Sequence, residues 1–581
     1  MDPIKNSEFK KSLGAFNTPS SLAFELTNRA IQQAIIVQMR RRFNVSHSSV
    51  ENIINSGNTK VLEELLSYIL SFTILDGSVG QGEFIITSYR LLLGISDSIT
   101  QRLAELGINK TKNYRRKILN NLYGMEINSR TLLGCQEILN GHSWDIDKEI
   151  IPKWMKNNLV IGNFLESDFT SWKKIPENFP GFDLIIGNPP WGSQLTKEER
   201  AHYFKKFKLS GSRRNLNSFE LFVYQSTYLL RSNSGYLALY LPKNLTRSNQ
   251  YVNLRKFILH NYRIKSLFFH DLFDHVTQEF ISIVALFTDK IKSKNEILVD
   301  NEERILQTVY MTNTDYIFTK ITDKTSFQVL EQIKKNTKGL EEYVTIQRGE
   351  ELSKKGGVMY CNFCTSWVPL SSRKPRVECP QCHEILDKSQ LLIQFLINPS
   401  KSSEHITPIL TGDDFNHYYI KSTHFFNDTI EFKSKKNRNV YKSPKIVLQK
   451  IKQFPCAAID LNNTLTTQNV YNLRLKEQWR KKPIYLYYIL AILNSSLMHW
   501  YYENQFNLGS KYTNAISIKN LKRLPIRPPE DNEKILGTIE TQFKNSHPST
   551  QPRIMQKDEI DDLILELYEC SSYKELLLVS D

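Results

Sequence analysis

Short apolar runs alternate with stretches of helical hydrophobic periodicity from about residue 60 to about residue 290. The runs are "SFTILDGS", "NLYGMEI", "NLVIGNF", "FDLIIGN", "GYLALYLP", "IKSLFFHD" and "FISIVALF". Strands that are separated in sequence by helices are typical of a doubly wound α/β domain. In such sheets ligands bind beyond the carboxyl ends of the strands, so the residues that follow each run are the candidates for chemistry.

A different pattern begins after about residue 300. A polar helical segment, "TSFQVLEQIKKNTKGLEEYV", leads into a cysteine cluster and then into irregular, strand-rich text with many Lys and Tyr residues. The polar linker "NSHPSTQPR" precedes an amphipathic helix, "DEIDDLILELYE". We predict an α/β domain at 1–295, a connector at 296–340, an α+β domain at 341–527 with the cysteine cluster at 358–386, and a helical tail at 528–581.

The composition of the chain indicates which kind of molecule it binds. The chain has 581 residues, 11% of them aromatic, and a formal net charge of +16. A basic protein with many aromatic residues favours a polyanionic partner over an acidic small molecule, and a merely soluble basic protein is the alternative. The N-terminal region has no apolar signal-peptide core, and no window reaches about 18 uninterrupted apolar residues. We therefore predict a cytoplasmic protein without a membrane segment.

Polar and glycine residues follow the first two predicted strands. Asp76 and the glycines Gly77, Gly80 and Gly82 come directly after "TIL", where glycine lets the backbone approach a ligand closely. A tight turn without a ligand is the alternative. Glu126 ends the second strand, and its carboxylate can accept hydrogen bonds from both hydroxyls of a ribose. The glycines are not followed by Lys-Ser/Thr and no second GxGxxG occurs, which counts against ATP and NAD.

The third strand ends in Asn163-Phe164. The amide of Asn163 could bind an adenine edge, and the ring of Phe164 could stack on the adenine face. Taken alone, Phe164 has a simpler interpretation as a core residue. The glycine loop and Glu126 together indicate a nucleoside ligand.

Asn188-Pro189-Pro190-Trp191 follows the fourth strand. The Asn188 side-chain oxygen and the Pro189 carbonyl, held by two fixed φ angles, form two acceptors that can bind both protons of one amino group. Trp191 offers a face on which a planar base can stack. The alternative is a strand-ending Pro-Pro turn with a core tryptophan.

"NPPW" downstream of "DGSVGQGEF" resembles the catalytic and cofactor motifs of S-adenosylmethionine-dependent DNA adenine-N6 methyltransferases of the type II restriction-modification kind. "GAFNTPSSLAFEL" is similar to the N-terminal segment of that family, and "HDLFDHV" resembles its loop that carries an aromatic residue against the flipped base. The resemblance covers about residues 12 to 290 and, more weakly, 340 to 527. It departs at Gly77-Ser78-Val79, which replaces the usual centre of the first motif, and at Asn163, where Asp is common.

The resemblance implies a Rossmann-like class I methyltransferase domain followed by a DNA target-recognition domain. It implies that a flipped adenine contacts Trp191 and Phe273, while Asn188 and the Pro189 carbonyl hold its amino group; Pro190 completes the catalytic motif. The implied S-adenosylmethionine contacts are Phe16, Thr18, Pro19, Asp76, Gly77, Gly80, Gly82, Glu126, Asn163 and Phe164.

Four of the seven cysteines form two pairs, Cys361-x2-Cys364 and Cys379-x2-Cys382. Two such knuckles predict a tetrahedral structural zinc site, in which four thiolates leave no open position for catalysis. Free thiols or disulfides are the alternative, although one cluster beside scattered single cysteines fits a reducing compartment. His383 is predicted to be a neighbour and not a ligand. The zinc ribbon either presents basic residues to DNA or stabilises its domain.

Basic clusters lie in "KKFKLSGSRRN", in "KSKKNRNVYKSPK" and within the cysteine segment. They fit phosphate contacts, which position a protein on DNA, and a solvated basic face is the alternative. The predicted nucleic-acid contacts are Lys205, Lys206, Arg213, Arg214, Arg373, Lys374, Arg376, Lys435, Lys436 and Arg438.

The leading hypothesis is a DNA adenine-N6 methyltransferase acting on double-stranded DNA. The alternatives are the same chemistry on RNA or on a protein amide, and a DNA-binding subunit without cofactor. No convincing Asp…Glu-x-Lys nuclease set is found, so we expect modification without cleavage by this chain. An endonuclease or a defence-system subunit would be encoded separately.

Overall fold

The computed structural model describes residues 18–109, 114–141, 150–191, 195–210, 216–270, 279–288, 290, 294–300, 303–319, 324–370, 376–433, 435–506, 515–544 and 555–578. The chain divides into two compact units, Met1–Thr322 and Asp323–Asp581. Among the helices described, none is long and apolar enough to cross a membrane.

A nine-stranded sheet is the centre of the described part of the first unit. Its strands are β1 (Ile74–Asp76), β2 (Leu122–Glu126), β3 (Leu159–Ile161), β4 (Leu184–Gly187), β5 (Tyr236–Pro242), β6 (Tyr262–His270), β7 (Phe280–Phe287), β8 (Glu296–Val299) and β9 (Glu303–Leu306). The order is β3-β2-β1-β4-β5-β7-β6-β8-β9. The seven predicted apolar runs all form strands, which confirms the predicted doubly wound α/β class.

The strand order reverses between β1 and β4. These strands are parallel neighbours, with Asp76 opposite Ile186, so the residue after each strand emerges at the same edge. A reversal of this kind opens a crevice at the carboxyl ends of the strands. The topology therefore brings the glycine loop and the Asn188 loop together.

Helices flank this sheet. They are α1 (Ser20–Phe43), α2 (Val50–Ser56), α3 (Thr59–Ser71), α4 (Glu83–Glu105), α5 (Tyr114–Asn120), α6 (Ser129–Gly141), α7 (Ile150–Asn158), α8 (Lys197–Lys206), α9 (Ser218–Leu229), α10 (Val252–Asn261) and α11 (Gln307–Thr312). In α3, an apolar stripe at helical spacing is buried, and Asn58 caps the first turn by accepting from the Val61 N–H. The long α1 packs on α4 and β5.

The first unit extends beyond the predicted α/β segment. The sequence assigned residues 296–340 to a connector, whereas β8 pairs with β6 and β9 pairs with β8. The short apolar pattern "EILV" carries two fully or nearly fully buried side chains, Ile297 and Val299. The division between the units falls after Thr322.

The second unit is α+β. Its strands are β10 (Lys338–Gly339), β11 (Val344–Arg348), β12 (Gly357–Cys361), β13 (Ser366–Pro369), β14 (Arg376–Glu378), β15 (Ile385–Asp387), β16 (Ile393–Phe395), β17 (Ile397–Asn398), β18 (Thr407–Leu410), β19 (His424–Phe426), β20 (Lys445–Gln449), β21 (Ala457–Asp460), β22 (Leu465–Thr466), β23 (Val470–Leu475) and β24 (Pro525–Ile526). They form small sheets in the orders β11-β23-β20-β21, β17-β19-β18-β22, β13-β12-β16, β14-β15 and β10-β24.

The helices of this unit are α12 (Lys324–Lys334), α13 (Ile484–Asn494), α14 (Ser496–Gln505), α15 (Ile518–Lys522), α16 (Glu533–Lys544), α17 (Met555–Leu567) and α18 (Lys574–Leu578). The α13 sequence, "IYLYYILAILN", is apolar on nearly all sides, and nine of its residues are buried. It packs against β21, α14 and α16. A helix of this composition is stable in water when neighbours cover it all round, which makes α13 the centre of this unit.

Candidate functional site

Asp76 lies at the carboxyl end of β1 and is fully buried. Its Oδ1 accepts from the backbone N–H of Ser78 at 2.9 Å, whereas its Oδ2 is buried with no hydrogen-bond partner among the described residues. The pKa of Asp76 is raised to about 7, chiefly by burial; the bond from the Ser78 N–H opposes this shift, and the nearby Glu126 carboxylate adds to it. The Asp76 carboxyl group can therefore form a further hydrogen bond at the carboxyl end of β1.

The glycine loop after β1 is shaped by close contacts. A Cβ at Gly77 would lie 2.6 Å from the Phe164 ring, and a Cβ at Gly82 would lie 3.1 Å from Cys135 Sγ. Gly82 also has φ +86°, a left-handed conformation that favours glycine, and it is the N-cap residue directly before α4. The loop therefore approaches its neighbours more closely than other residues would permit.

Glu126, at the end of β2, holds this loop in place. Its Oε2 accepts from the Gly80 N–H at 3.2 Å, and its Oε1 accepts from the Asn128 N–H at 3.0 Å. Each carboxylate oxygen retains a second acceptor position. Glu126 can therefore accept further hydrogen bonds from a ligand without releasing the loop.

Asn163 and Phe164 follow β3. Asn163 Oδ1 accepts from the Leu165 N–H at 3.0 Å, and its Nδ2 donates to Tyr203 Oη at 3.0 Å. The Phe164 ring stacks on Phe222, with centroids 4.6 Å apart, and is 2% exposed. The structure thus places Phe164 in the core beneath Gly77, and its predicted contact with an adenine stays a prediction.

The Asn188 loop is fixed by two serines. Ser78 Oγ donates to the Asn188 carbonyl at 3.2 Å, and Ser218 Oγ donates to the Pro190 carbonyl at 2.6 Å. These bonds hold the peptide groups that precede and follow the Pro189-Pro190 pair. Ser78 and Ser218 were not singled out from the sequence, because their importance depends on contacts with a distant loop.

Asn188 itself is oriented from the N-terminal region. Its Nδ2 donates to Thr18 Oγ1 at 3.3 Å, and its Oδ1 is buried without a hydrogen-bond partner in the part of the chain that the structure describes. Thr18 and Pro19 immediately precede α1. The Tyr240 hydroxyl donates to the Leu22 carbonyl at 2.8 Å, which ties the first turn of α1 to β5.

Trp191 is 8% exposed, and its indole Nε1–H donates to the Tyr240 carbonyl at 3.3 Å. Its ring centroid lies 6.0 Å from that of Phe280, and the ring of His270 stacks on Phe280 at 4.8 Å. Trp191 therefore has a fixed orientation at the end of the sheet. Its predicted stacking on a base is not tested by these contacts.

Two exposed isoleucines at the same edge were missed. Ile127, next to Glu126, is 62% exposed, and Ile161, at the end of β3, is 63% exposed. Exposed large aliphatic side chains beside polar strand ends are typical of a ligand crevice. The exposure could not be derived from apolar pattern alone, since that pattern predicts burial.

Several predicted site residues lie outside the described residues. They are Phe16, Arg213, Arg214, Phe273, Arg373 and Lys374.

The four cysteines lie together. Their sulfur atoms are all within 4.8 Å of one another, with Cys361 and Cys382 3.7 Å apart and Cys364 and Cys379 3.8 Å apart. Ligands about 2.3 Å from a tetrahedral zinc ion are about 3.8 Å apart, so this spacing fits zinc. The hairpins β12–β13 and β14–β15 supply the pairs and share a small core, which contains Met359, Val368, Val377 and Leu386. His383 is 77% exposed and contacts Glu378 instead.

Six of the ten basic residues predicted to contact DNA lie among the described residues, and four of these six are paired with carboxylates. Lys206 pairs with Glu166 at 3.1 Å, and Lys436 pairs with Glu351 at 3.7 Å. Lys435 pairs with Asp428 and Glu431, and Arg438 pairs with Asp428 and lies 3.9 Å from Glu350. Lys205 and Arg376 are exposed. A phosphate contact by the paired residues would have to share or replace these ion pairs.

Two segments match family models. Residues 120–273 match the Eco57I restriction-modification methylase family, and residues 407–526 match the TaqI-like C-terminal specificity domain. The first segment contains Glu126, Asn163 and the Asn188 loop. The cysteine cluster lies before the second segment.

Two relatives are similar in sequence. A Methanocaldococcus jannaschii protein named as a type II restriction enzyme and methyltransferase is 24% identical over 427 residues, which are 67% of this chain and 31% of that protein. The type II methyltransferase M.BstVI of Geobacillus stearothermophilus is 28% identical over 255 residues, 43% of this chain and 41% of that protein. This chain matches less than half of the length of either relative.

One solved structure has a similar fold throughout. The type IIL restriction-modification enzyme MmeI, in a complex with DNA, superposes with a TM-score of 0.60 over 98% of this chain and 77% of that chain, at 13% identity. At this identity the likeness concerns the fold alone. The motifs, the matched segments and the fold together identify the chain as similar to type II restriction-modification methyltransferases, with a methylase segment at 120–273 and a specificity segment at 407–526.

Proposed function

We propose that this chain is a site-specific DNA methyltransferase, which transfers a methyl group from S-adenosylmethionine to the N6 amino group of an adenine flipped out of the duplex. The observation that carries the proposal is the side-chain oxygen of Asn188. It is a buried acceptor without a partner among the described residues, at the carboxyl end of β4 and beside the glycine loop. A buried acceptor of this kind is costly unless a ligand completes it.

The residues around the crevice fit S-adenosylmethionine. Glu126 has free acceptor positions for ribose hydroxyls, and Ile127 and Ile161 offer apolar surface to a planar base. Asp76 Oδ2 is a buried acceptor that lacks a partner within the described ranges, next to a loop that glycine keeps close. When bound, the cofactor supplies a methyl group on a positively charged sulfur.

Asn188 and the Pro189 carbonyl hold the amino group of the substrate. Two acceptors bind its two protons and leave the nitrogen lone pair free to react. Thr18 orients the Asn188 amide, while Ser78 and Ser218 hold the adjoining peptide groups. Trp191, oriented by its bond to the Tyr240 carbonyl, contacts the plane of the base. Positioning therefore supplies most of the rate, and the mechanism needs no covalent enzyme intermediate.

Double-stranded DNA is the proposed substrate, with the second unit as the recognition domain. The specificity-domain match at 407–526 and the net charge of +16 support this assignment over RNA or a protein amide. The proposed role is the modification component of a restriction-modification or related defence system. A zinc ion bound by Cys361, Cys364, Cys379 and Cys382 would join the two cysteine hairpins.

Methyl transfer tests the proposal directly. The protein is incubated with methyl-labelled S-adenosylmethionine and unmethylated genomic DNA, and the products are analysed by nucleoside mass spectrometry and single-molecule sequencing. We expect labelled N6-methyladenine at one recurring motif, and none with the Asn188→Ala protein. Label in RNA or protein but not in DNA would refute the assignment of DNA as the substrate. Absence of S-adenosylmethionine binding, even with DNA present, would refute the proposal that the chain is a methyltransferase.

Cleavage is tested separately, since we propose that an endonuclease acts as a separate partner. The purified chain is incubated with Mg²⁺ and DNA that carries the methylation motif. Intact DNA is expected, and specific double-strand breaks would show that the chain itself cleaves.

A further inference from the structure

A second cavity lies in the first unit at the amino ends of β4 and β5. It has a volume of about 370 Å³ and is lined by residues from the end of α1, from α3 and from the two strand starts. Asp183 precedes β4 and Tyr236 begins β5, whereas Asn188 follows β4. The cavity therefore opens at the opposite end of β4 from the methyl-transfer site.

Hydrogen-bond donors dominate the lining of this cavity. Tyr236 is 2% exposed, and its hydroxyl finds no hydrogen-bond partner within the described part of the chain. Burial raises the pKa of Tyr236 well above its ordinary range, so the hydroxyl remains a proton donor. Arg231 Nε likewise lacks a partner among the residues described, and the hydroxyls of Ser67 and Ser234 lie in the same lining.

Positive charge exceeds negative charge around the cavity. Three arginines line it; Arg231 pairs with Asp183 at 3.0 Å and Arg42 pairs with Glu64, while no ion pair to Arg41 is found among the described residues.

Further cations surround Arg41. Burial, followed by the charges of Arg263, Arg41 and Arg40, lowers the pKa of Lys265 to about 8. Burial and the charge of Arg41 also lower the pKa of Arg263. Clustered cations of this kind repel one another unless an anion neutralises them. The arginines in the last turn of α1 also interact favourably with the helix dipole, which is an alternative reason for their presence. The dipole does not explain why the Tyr236 hydroxyl is buried without a partner among the described residues.

We propose that this cavity binds the phosphate group of a small phosphorylated ligand, with Tyr236 donating its hydroxyl proton and Arg41 and Arg231 supplying charge. Guanidinium groups and hydroxyls are the donors that phosphate prefers, and the volume suits a small molecule. The site is separate from the proposed methyl transfer and does not depend on it.

Binding is measured on the full chain by calorimetry and thermal denaturation. Potassium phosphate and adenosine monophosphate are the probes, and potassium chloride at equal ionic strength is the control. We expect phosphate to raise the melting temperature where chloride does not. Tyr236→Phe and Arg41→Gln should each weaken phosphate affinity about tenfold or more, because a hydrogen bond to a charged group is lost.

Matched variants separate a ligand site from a structural role. Tyr228→Phe removes a hydroxyl from a tyrosine that is 61% exposed, and Arg102→Gln removes a charge from α4; neither residue lines the cavity, so both variants should bind phosphate like the unmodified protein. Without phosphate, Tyr236→Phe should be at least as stable as the unmodified protein, since it removes a buried hydroxyl that lacks a partner in the described chain.

A DNA-binding measurement on the Arg41→Gln variant decides whether the bound phosphate belongs to a small molecule or to the DNA backbone. If free phosphate binds and Arg41→Gln leaves DNA affinity unchanged, the ligand is a small molecule. If free phosphate does not bind but Arg41→Gln weakens DNA binding and lowers its salt dependence, the phosphate belongs to the DNA backbone and the small-molecule assignment is overturned. If the variants bind both free phosphate and DNA with the same affinity as the unmodified protein, the cavity is not a phosphate site and the proposal is overturned.

Discussion

Asn188 and Thr18 are joined by a hydrogen bond of 3.3 Å, although 170 positions separate them in the chain. The bond uses the side-chain nitrogen of Asn188 and leaves its oxygen buried, with no partner found in the described ranges. The segment that precedes α1 therefore orients the residue to which we assign the substrate amino group.

Replacing Asn188 with alanine removes that acceptor. We expect the methyl-transfer rate to fall at least about a hundredfold, because a preorganised polar contact in the transition state is lost. Cofactor affinity should change little, since Glu126 and the glycine loop remain. Single-turnover kinetics and a cofactor titration measure the two quantities. A large loss of cofactor affinity would instead indicate that Asn188 supports the loop.

Thr18 is predicted to act through Asn188. Thr18→Val keeps the shape of the side chain and removes the hydroxyl, so kcat should fall about tenfold while the KM for DNA changes little. Thr18→Ser restores the hydroxyl and should restore the rate. An equally low rate in both variants would indicate a packing role, because the serine variant retains the acceptor.

Glu126→Gln tests the ribose contact. The amide keeps one acceptor but loses the charge, so S-adenosylmethionine affinity should fall about tenfold to a hundredfold, with kcat at saturation much less affected. Asp168→Asn, in an exposed turn of the same unit, is the matched control and should bind normally. An unchanged dissociation constant for the Glu126 variant would refute the assignment.

Asp76 should make stability depend on pH. Its pKa is raised by burial to about 7, above the value of about 3.9 expected in the unfolded chain. The folded protein therefore binds the proton more tightly, and this contribution is complete below about pH 4 and is lost as pH rises towards 7. The loss is on the order of 4 kcal/mol.

Asp76→Asn cannot ionise and should lack this dependence. The free energy of unfolding is measured in urea from pH 4 to pH 8 for both proteins. As pH rises, the free energy of unfolding of the unmodified protein should fall relative to that of the asparagine variant. A difference that stays constant with pH would show that Asp76 titrates normally in the folded protein.

Cys361→Ser tests the proposed zinc site. A serine hydroxyl is a poor zinc ligand, so the metal content should fall from one zinc per chain towards zero and the second unit should unfold at lower temperature. His383→Ala, next to the last cysteine but paired with Glu378, is the control and should retain zinc. Zinc retained in the Cys361 variant would exclude a four-cysteine site.

Local pattern was sufficient for the first seven strands of the first unit and for the residues at their ends. The run "FDLIIGN" predicts β4, and the glycines after Asp76 predict a loop of close approach, because side-chain alternation and glycine conformation act within a few residues. The spacing of the cysteine pairs likewise predicts two knuckles, since each pair is formed by one hairpin turn.

Tertiary structure decided which side chains meet. Phe164 packs beneath Gly77, and Lys435 is paired with Asp428; the sequence showed neither contact, and the roles predicted for both residues stay predictions. Gly77 and Phe164 lie in distant segments, and the pairing of Lys435 with Asp428 depends on side-chain conformation; the periodicity of a short window encodes neither. For the same reason, the sequence showed Asn188 as a candidate acceptor, while only the fold oriented it through Thr18.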